Sequence, residues 1–135
     1  MIGKTQFDAF ISEHRWAVIT TLRKDGSASS SLVAYAREGD TLVVSTPGDR
    51  LKARTLERDP RVALCVISNQ EPFNYVTVEG RAEVERDAIE GPTRAVFANI
   101  ADVGYELPQD LSGWLSSQGR VILRIHPERV HGVIR

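Results

Sequence analysis

Between Trp16 and Thr46 the chain alternates β-branched runs with tight glycine turns, and this pattern constrains the fold more than any other feature. W-A-V-I-T-T-L-R (Trp16 to Arg23) reads as a strand. K-D-G-S follows, and its Asp25-Gly26 pair signals a hairpin because both residues tolerate positive φ. A-S-S-S-L-V-A-Y-A (Ala28 to Ala36) is the return strand, Arg37 to Asp40 a second turn, and T-L-V-V-S-T (Thr41 to Thr46) a third strand. Further strands are expected at Arg61 to Ile67, at Phe73 to Val84 with a bend at Gly80, and at Arg120 to Ile134 as two strands or one bent strand. Helices are expected near the start, where Thr5 and Asp8 resemble a capping box, and over Arg86 to Ala101, interrupted at Gly91-Pro92. Asp102 to Gly119 reads as irregular, with a short turn near Leu111 to Leu115. About six strands with a few short helices predict a small barrel with helices over its ends.

The 135 residues suit one domain, with no linker, repeat or low-complexity segment. A net charge of −1 excludes a global basic field and argues against nucleic-acid binding. No run reaches membrane-span length and the first residues lack the apolar stretch of a signal peptide, so a cytoplasmic protein is expected. The single cysteine, Cys65, rules out an internal disulfide framework and reads as a buried, inert thiol. His14, His126 and His131 show no metal-ligand spacing, so no metal site is expected.

The segment S-T-P-G-D-R-L-K-A-R-T-L-E-R-D-P-R, Ser45 to Arg61, carries most of the functional signal. It reads as a strand end, a Pro47-Gly48 turn and a short helix capped by Asp49. At ~100° per residue, Arg50, Arg54 and Arg58 share one face while Lys52 falls inside an apolar arc between Leu51 and Leu56. Burying an unpaired ammonium is costly, and a bound anion near the helix start would offset that cost. The alternative is a solvated arginine face with a lysine that snorkels outward. Ser29, Ser30 and Ser31 are similarly open to two readings: room for a flat ring against the backbone, or an edge strand facing water. There is neither a G-x-G-x-x-G nor a Walker loop, and no Ser-His-Asp constellation or close carboxylate pair.

The ordered pieces T-T-L-R-K-D-G, V-V-S-T-P-G-D-R-L-K-A-R-T-L, R-D-P-R-V-A, V-T-V-E-G-R-A-E-V and V-I-L-R-I-H-P-E-R-V-H-G resemble the flavin-binding split-barrel superfamily, the fold of pyridoxamine 5′-phosphate oxidase. The resemblance spans nearly the whole chain and is nearest to the branch that uses the deazaflavin coenzyme F420. It implies a six-stranded antiparallel split β-barrel, mainly β with short helices, and a homodimer with the cofactor at the subunit interface. It implies that Ser45 and Thr46 offer hydroxyls to the cofactor phosphate, that Arg50, Lys52 and Arg54 supply cations, and that Ser31, Leu32, Val33 and Ala34 line the ring. Phe73 and Tyr75 would reach the cofactor from the partner subunit, the other reading being core or loop packing. FMN is the alternative cofactor. The oxidases carry extra cations on the second strand around R-x-x-L-L-K, where this chain has S-S-S-L-V-A-Y, and Arg50, Arg54, Arg58 and Arg61 would suit the acidic F420 tail. The implied activity is hydride transfer between F420 and a small planar conjugated substrate, with Tyr35, Tyr75, His126 or solvent as proton source. A non-enzymatic cofactor- or tetrapyrrole-binding module is a further alternative.

Overall fold

The computed structural model describes residues 1–135. In chain order the elements are α1 (Thr5–Glu13), β1 (Trp16–Leu22), β2 (Ala28–Ala34), β3 (Ala36–Glu38), β4 (Thr41–Pro47), α2 (Leu51–Arg58), β5 (Arg61–Ile67), β6 (Tyr75–Glu85), α3 (Glu90–Asn99), α4 (Leu111–Gln118) and β7 (Arg120–Val133). A 3₁₀ turn at Ala101–Val103 follows α3. No helix is long and apolar enough to cross a membrane.

The strands form one antiparallel sheet in the order β2-β1-β5-β6-β7-β4-β3. Its two ends are consecutive in sequence, because only Tyr35 separates β2 from β3. One bent strand therefore pairs with β1 through Ala28–Ala34 and with β4 through Ala36–Glu38. The sheet curls back on itself, and the expected six-stranded split barrel appears as seven strand segments.

Local chemistry explains the break. Tyr35 leaves the ladder with every polar group satisfied elsewhere: its N–H donates to the Arg15 carbonyl at 3.1 Å and its hydroxyl to the Ile11 carbonyl at 2.6 Å. Asn99 Nδ2 donates to the Tyr35 carbonyl at 2.8 Å and to the His14 carbonyl at 3.1 Å. Burial pushes the Tyr35 phenol far above its ordinary range, with the Arg37 charge opposing weakly.

Alternation along the strands divides the sheet into two faces. Ile19, Leu42, Val44, Leu64, Val78, Leu123 and their neighbours fill the barrel interior, plugged by Phe7, Phe10 and Ile11 of α1 and by Ala53 and Leu56 of α2. A smaller core forms outside, where Val43 and Ile122 meet Ile89, Val96, Leu111 and Leu115. This second core fixes α3 and α4 against β4 and β7.

Several expected boundaries move. Gly91-Pro92 does not interrupt a helix but sits in the first turn of α3, where a missing N–H costs nothing. The stretch read as irregular contains α4, capped by Asp110, which accepts from Gly113 N at 3.1 Å, and closed by Gly119 at φ 58°. Thr5 caps nothing: Lys4 is the N-cap residue of α1, and the Asp8 carboxylate accepts from Ile2 N at 2.7 Å. Asp49 lies one residue before the N-cap of α2, which is Arg50. The closing segment is one strand. Glu79 pairs with Arg129 and Gly80 with Pro127, leaving Glu128 as a bulge, and a Cβ at Gly80 would overlap the His126 carbonyl. Cys65 is half-buried on β5 rather than buried.

Candidate functional site

A cleft of about 390 Å³ opens where β4 passes into α2, opposite α3 and α4. Leu32, Val33 and Ala34 of β2 form one wall, and Ser45, Thr46 and Pro47 end β4 beside them. Trp16, Phe97, Tyr105 and Trp114 supply an aromatic lining. Two edge-on pairs brace it: Trp16 with Tyr105 at 6.0 Å and Phe97 with Trp114 at 5.8 Å between ring centroids.

The other end of the cleft is cationic. Arg50, Lys52 and Arg120 line it, and no carboxylate does. None of the three forms an ion pair. Lys52 is half-buried, held by a helix whose Ala53, Thr55 and Leu56 face the barrel. Burial lowers the Lys52 pKa, and the charges of Arg50 and Arg120 lower it further. Arg120 is also shifted down, first by burial and then by Arg50. Its Nη2 donates to Ser45 Oγ at 3.1 Å and its guanidinium lies 4.6 Å over the Trp114 ring, while its Nε is buried without an acceptor. Mutually repelling cations and an orphaned N–H fit a phosphoryl group, and the start of α2 adds the favourable end of a helix dipole.

Of the residues singled out from the sequence, Leu32, Val33, Ala34, Ser45, Thr46, Arg50 and Lys52 meet at this cleft. Ser31 is exposed on β2 and does not line it. Arg54 is exposed one turn along α2 and also stays outside. Phe73, 56% exposed, and half-buried Tyr75 lie outside the cleft of their own chain. The arginine stripe is not continuous as a binding surface: Arg58 Nη2 donates to the Leu22 carbonyl at 2.9 Å, and Arg61 is tied to Asp59 at 2.7 Å. Leu51 is 46% exposed, so the apolar arc around Lys52 is narrower than the helical wheel implied.

Arg120, Trp114, Trp16, Phe97 and Tyr105 were not legible from the sequence. They come from four separate stretches: the β4–β7 ladder sets Arg120 opposite Pro47, the β1–β2 ladder sets Trp16 opposite Ala34, and the packing of α3 and α4 on β4 and β7 brings in Phe97 and Trp114. The one local signal was Gly119, whose left-handed turn delivers Arg120 directly from α4 into β7.

A family profile described as pyridoxamine 5′-phosphate oxidase matches residues 4–134. The chain belongs to the pyridoxamine 5′-phosphate oxidase family. Within reach of this family member is a Mycobacterium tuberculosis protein named F420H(2)-dependent biliverdin reductase, 29% identical over 126 residues, covering 92% of this chain and 83% of the relative. A solved structure named F420 Reductase superposes with a TM-score of 0.76 at 22% identity, covering 95% of this chain and 98% of the other. A conserved hypothetical protein from Mycobacterium tuberculosis gives 0.79 at 22% identity, covering 97% and 85%. These two likenesses show a shared fold.

Proposed function

We propose that this protein is an F420-dependent reductase that transfers hydride between the deazaflavin and a small planar conjugated substrate. The observation that carries the reading is a cleft with three uncompensated cations at one end and an aromatic lining along the rest. The name of the 29% identical mycobacterial relative supports it.

In this reading Lys52 and Arg50 hold the cofactor phosphate at the start of α2, and the Ser45 hydroxyl donates to it. Because that hydroxyl accepts from Arg120, its own proton is free for the anion. Leu32, Val33 and Ala34 form a bed for the ring, and the aromatic lining excludes water from it. When bound, the deazaflavin supplies the hydride chemistry. Tyr35 is locked on the Ile11 carbonyl, and His126 Nε2 is 2.6 Å from Glu83 on an exposed strand. Neither lines the cleft, which leaves water, or Tyr75 from a partner subunit, as proton source. A homodimer that brings Phe73 and Tyr75 across the interface belongs to the same proposal.

FMN is the second reading, and two points favour it. Arg58 and Arg61 are engaged elsewhere, which removes part of the cationic track for an acidic tail. Three cations also match the two charges of a phosphate monoester better than the single charge of a diester. The test is a spectrum after mixing the protein with each cofactor and passing it through a desalting column. Retention of F420 is expected. Retention of FMN alone transfers the assignment, and retention of neither removes both.

A further inference from the structure

We infer that the chain carries a second binding site, an apolar hollow beyond the Trp16–Leu32–Tyr105 end of the cleft, and that it takes an uncharged planar carbonyl compound. The inference deepens the proposed function by giving the acceptor a place of its own, and it rests on that reading only for the compound's role.

The hollow measures about 450 Å³. Trp16, Leu32 and Tyr105 line both cavities and form the ridge between them, and Ile67 and Asn69 complete the far side. Register places the ridge. Leu32 lies opposite Val18 and Ala34 opposite Trp16 on the β1–β2 ladder, so Trp16 and Leu32 share one face of the sheet. Ile67 ends β5 opposite Tyr75, and Asn69 is exposed just beyond it. Tyr105 follows Gly104 at φ 93° and meets Trp16 edge-on at 6.0 Å and 66°. No main-chain hydrogen bond holds residues 105–109, so the Tyr105 ring can adjust to a ligand.

Size calls for a second site. A cleft of about 390 Å³ is room for one molecule of drug size, and a three-ring cofactor with its phosphate chain is such a molecule. An acceptor then needs space that touches the ring bed without sharing it, and Leu32 belongs to both cavities. Leu32 is 63% and Tyr105 53% exposed. Two large side chains this open on the rim of one hollow leave apolar surface for a flat molecule to cover. Charge sets the class. Arg50, Lys52 and Arg120 line the cleft and not the hollow, which has no charged side chain. An ionised group would be desolvated there without a counter-ion. The polar groups present are the Tyr105 hydroxyl, the Asn69 amide and the Trp16 indole N–H, and all three can donate to a carbonyl oxygen.

The test uses menadione, an uncharged naphthoquinone, without any cofactor. Trp114→Phe leaves Trp16 as the single tryptophan, and menadione should quench its emission saturably. Substitutions confined to one cavity then locate the ring. Asn69→Asp, on an exposed loop, replaces a donor by a carboxylate and should raise the Kd roughly threefold to tenfold. Ile67→Ala should raise it roughly threefold or more, and Tyr105→Ala roughly tenfold. Phe97→Leu, which alters the cleft alone, should leave it within about twofold, because a leucine still fills the site. An unquenched Trp16 overturns the inference, and so does a Kd that follows Phe97→Leu but neither Asn69→Asp nor Ile67→Ala. Should Trp114→Phe not fold, calorimetry on the wild-type background compares the same substitutions. At high salt, where the cleft cations are screened, a sulfonated naphthoquinone should bind at least about tenfold more weakly than menadione; equal affinity overturns the assignment to uncharged compounds. If F420 binds, menadione binding should persist in its presence, and mutual displacement overturns the separate site. Menadione binding that depends on Asn69 and Ile67, in a protein that retains neither F420 nor FMN, upholds the site while the cofactor reading falls.

Discussion

Asn99→Ala and Asn99→Asp test whether closure of the barrel depends on one side-chain amide. Asn99 Nδ2 bridges the Tyr35 and His14 carbonyls at 2.8 and 3.1 Å, pinning the corner where β2 leaves one end of the sheet and β3 enters the other. Tyr35 is fully buried and His14 is half-exposed. Removing the donor strands the first carbonyl and partly strands the second. A buried polar group without a partner costs about 1–3 kcal/mol, so the two together should cost about 2–4 kcal/mol, with water relieving part of the loss at His14. At ~2.1 cal/mol/K of unfolding entropy per residue over 135 residues, this corresponds to a Tm lowered by roughly 7–14 °C. The aspartate variant is the sharper probe. It keeps the size of asparagine, has no N–H, and sets a carboxylate against two carbonyl oxygens, so it should lose at least as much as alanine. Urea unfolding followed by far-UV circular dichroism measures both, with an unchanged m-value required for the comparison. A loss below about 0.5 kcal/mol in both variants, within the range of an ordinary surface substitution, would refute the account of the corner.

Three further outcomes are expected. Lys52→Met should weaken binding of the deazaflavin by roughly tenfold or more, yet leave the ligand-free protein at least as stable at neutral pH. Because the folded state holds Lys52 below its ordinary pKa, the unfolded chain binds more protons in the window beneath that value. Ligand-free stability should therefore rise as pH climbs through the window, and the rise should shrink in Lys52→Met; urea melts at two pH values read both. Gly80→Ala should destabilise by about 1–3 kcal/mol or more, since its Cβ meets the His126 backbone rather than a side chain that can move; thermal melts measure it. Light scattering on a sizing column should give twice the 15.0 kDa chain mass, and a persistent monomer would remove Phe73 and Tyr75 from the site.

The strands were legible because each follows from its own residues. Alternation in W-A-V-I-T-T-L, the Asp25-Gly26 turn and the T-L-V-V-S-T run needed no knowledge of distant segments. Helix caps were less legible. Asp49 and Thr5 are good capping residues in the right neighbourhood, but the observed helices start at Leu51 after Arg50 and at Thr5 after Lys4. The α4 helix was hidden in a glycine- and proline-bearing stretch of low apolar periodicity. Its stability comes from Leu111 and Leu115 in the outer core, with Asp110 and Gly119 as caps.

Half of the candidate site was written locally and half was not. Ser45, Thr46, Arg50 and Lys52 fall within eight consecutive residues, so a helix start after a strand end suffices to bring them together. Lys52 was conspicuous because charge and apolar periodicity conflict at its position. Arg120 and Trp114 carry no such conflict in sequence: one is an arginine opening a strand, the other a tryptophan in an ordinary helical turn. Strand propensity and turn chemistry act over a few residues, and so the chain alone determined its strands, its Asp25-Gly26 hairpin and its cationic strand-to-helix junction. Which residues face that junction depends on the β4–β7 register, which sets Arg120 opposite Pro47, and on the packing of α3 and α4 against those strands, a balance of pairing and apolar burial among distant segments that only the folded protein decides.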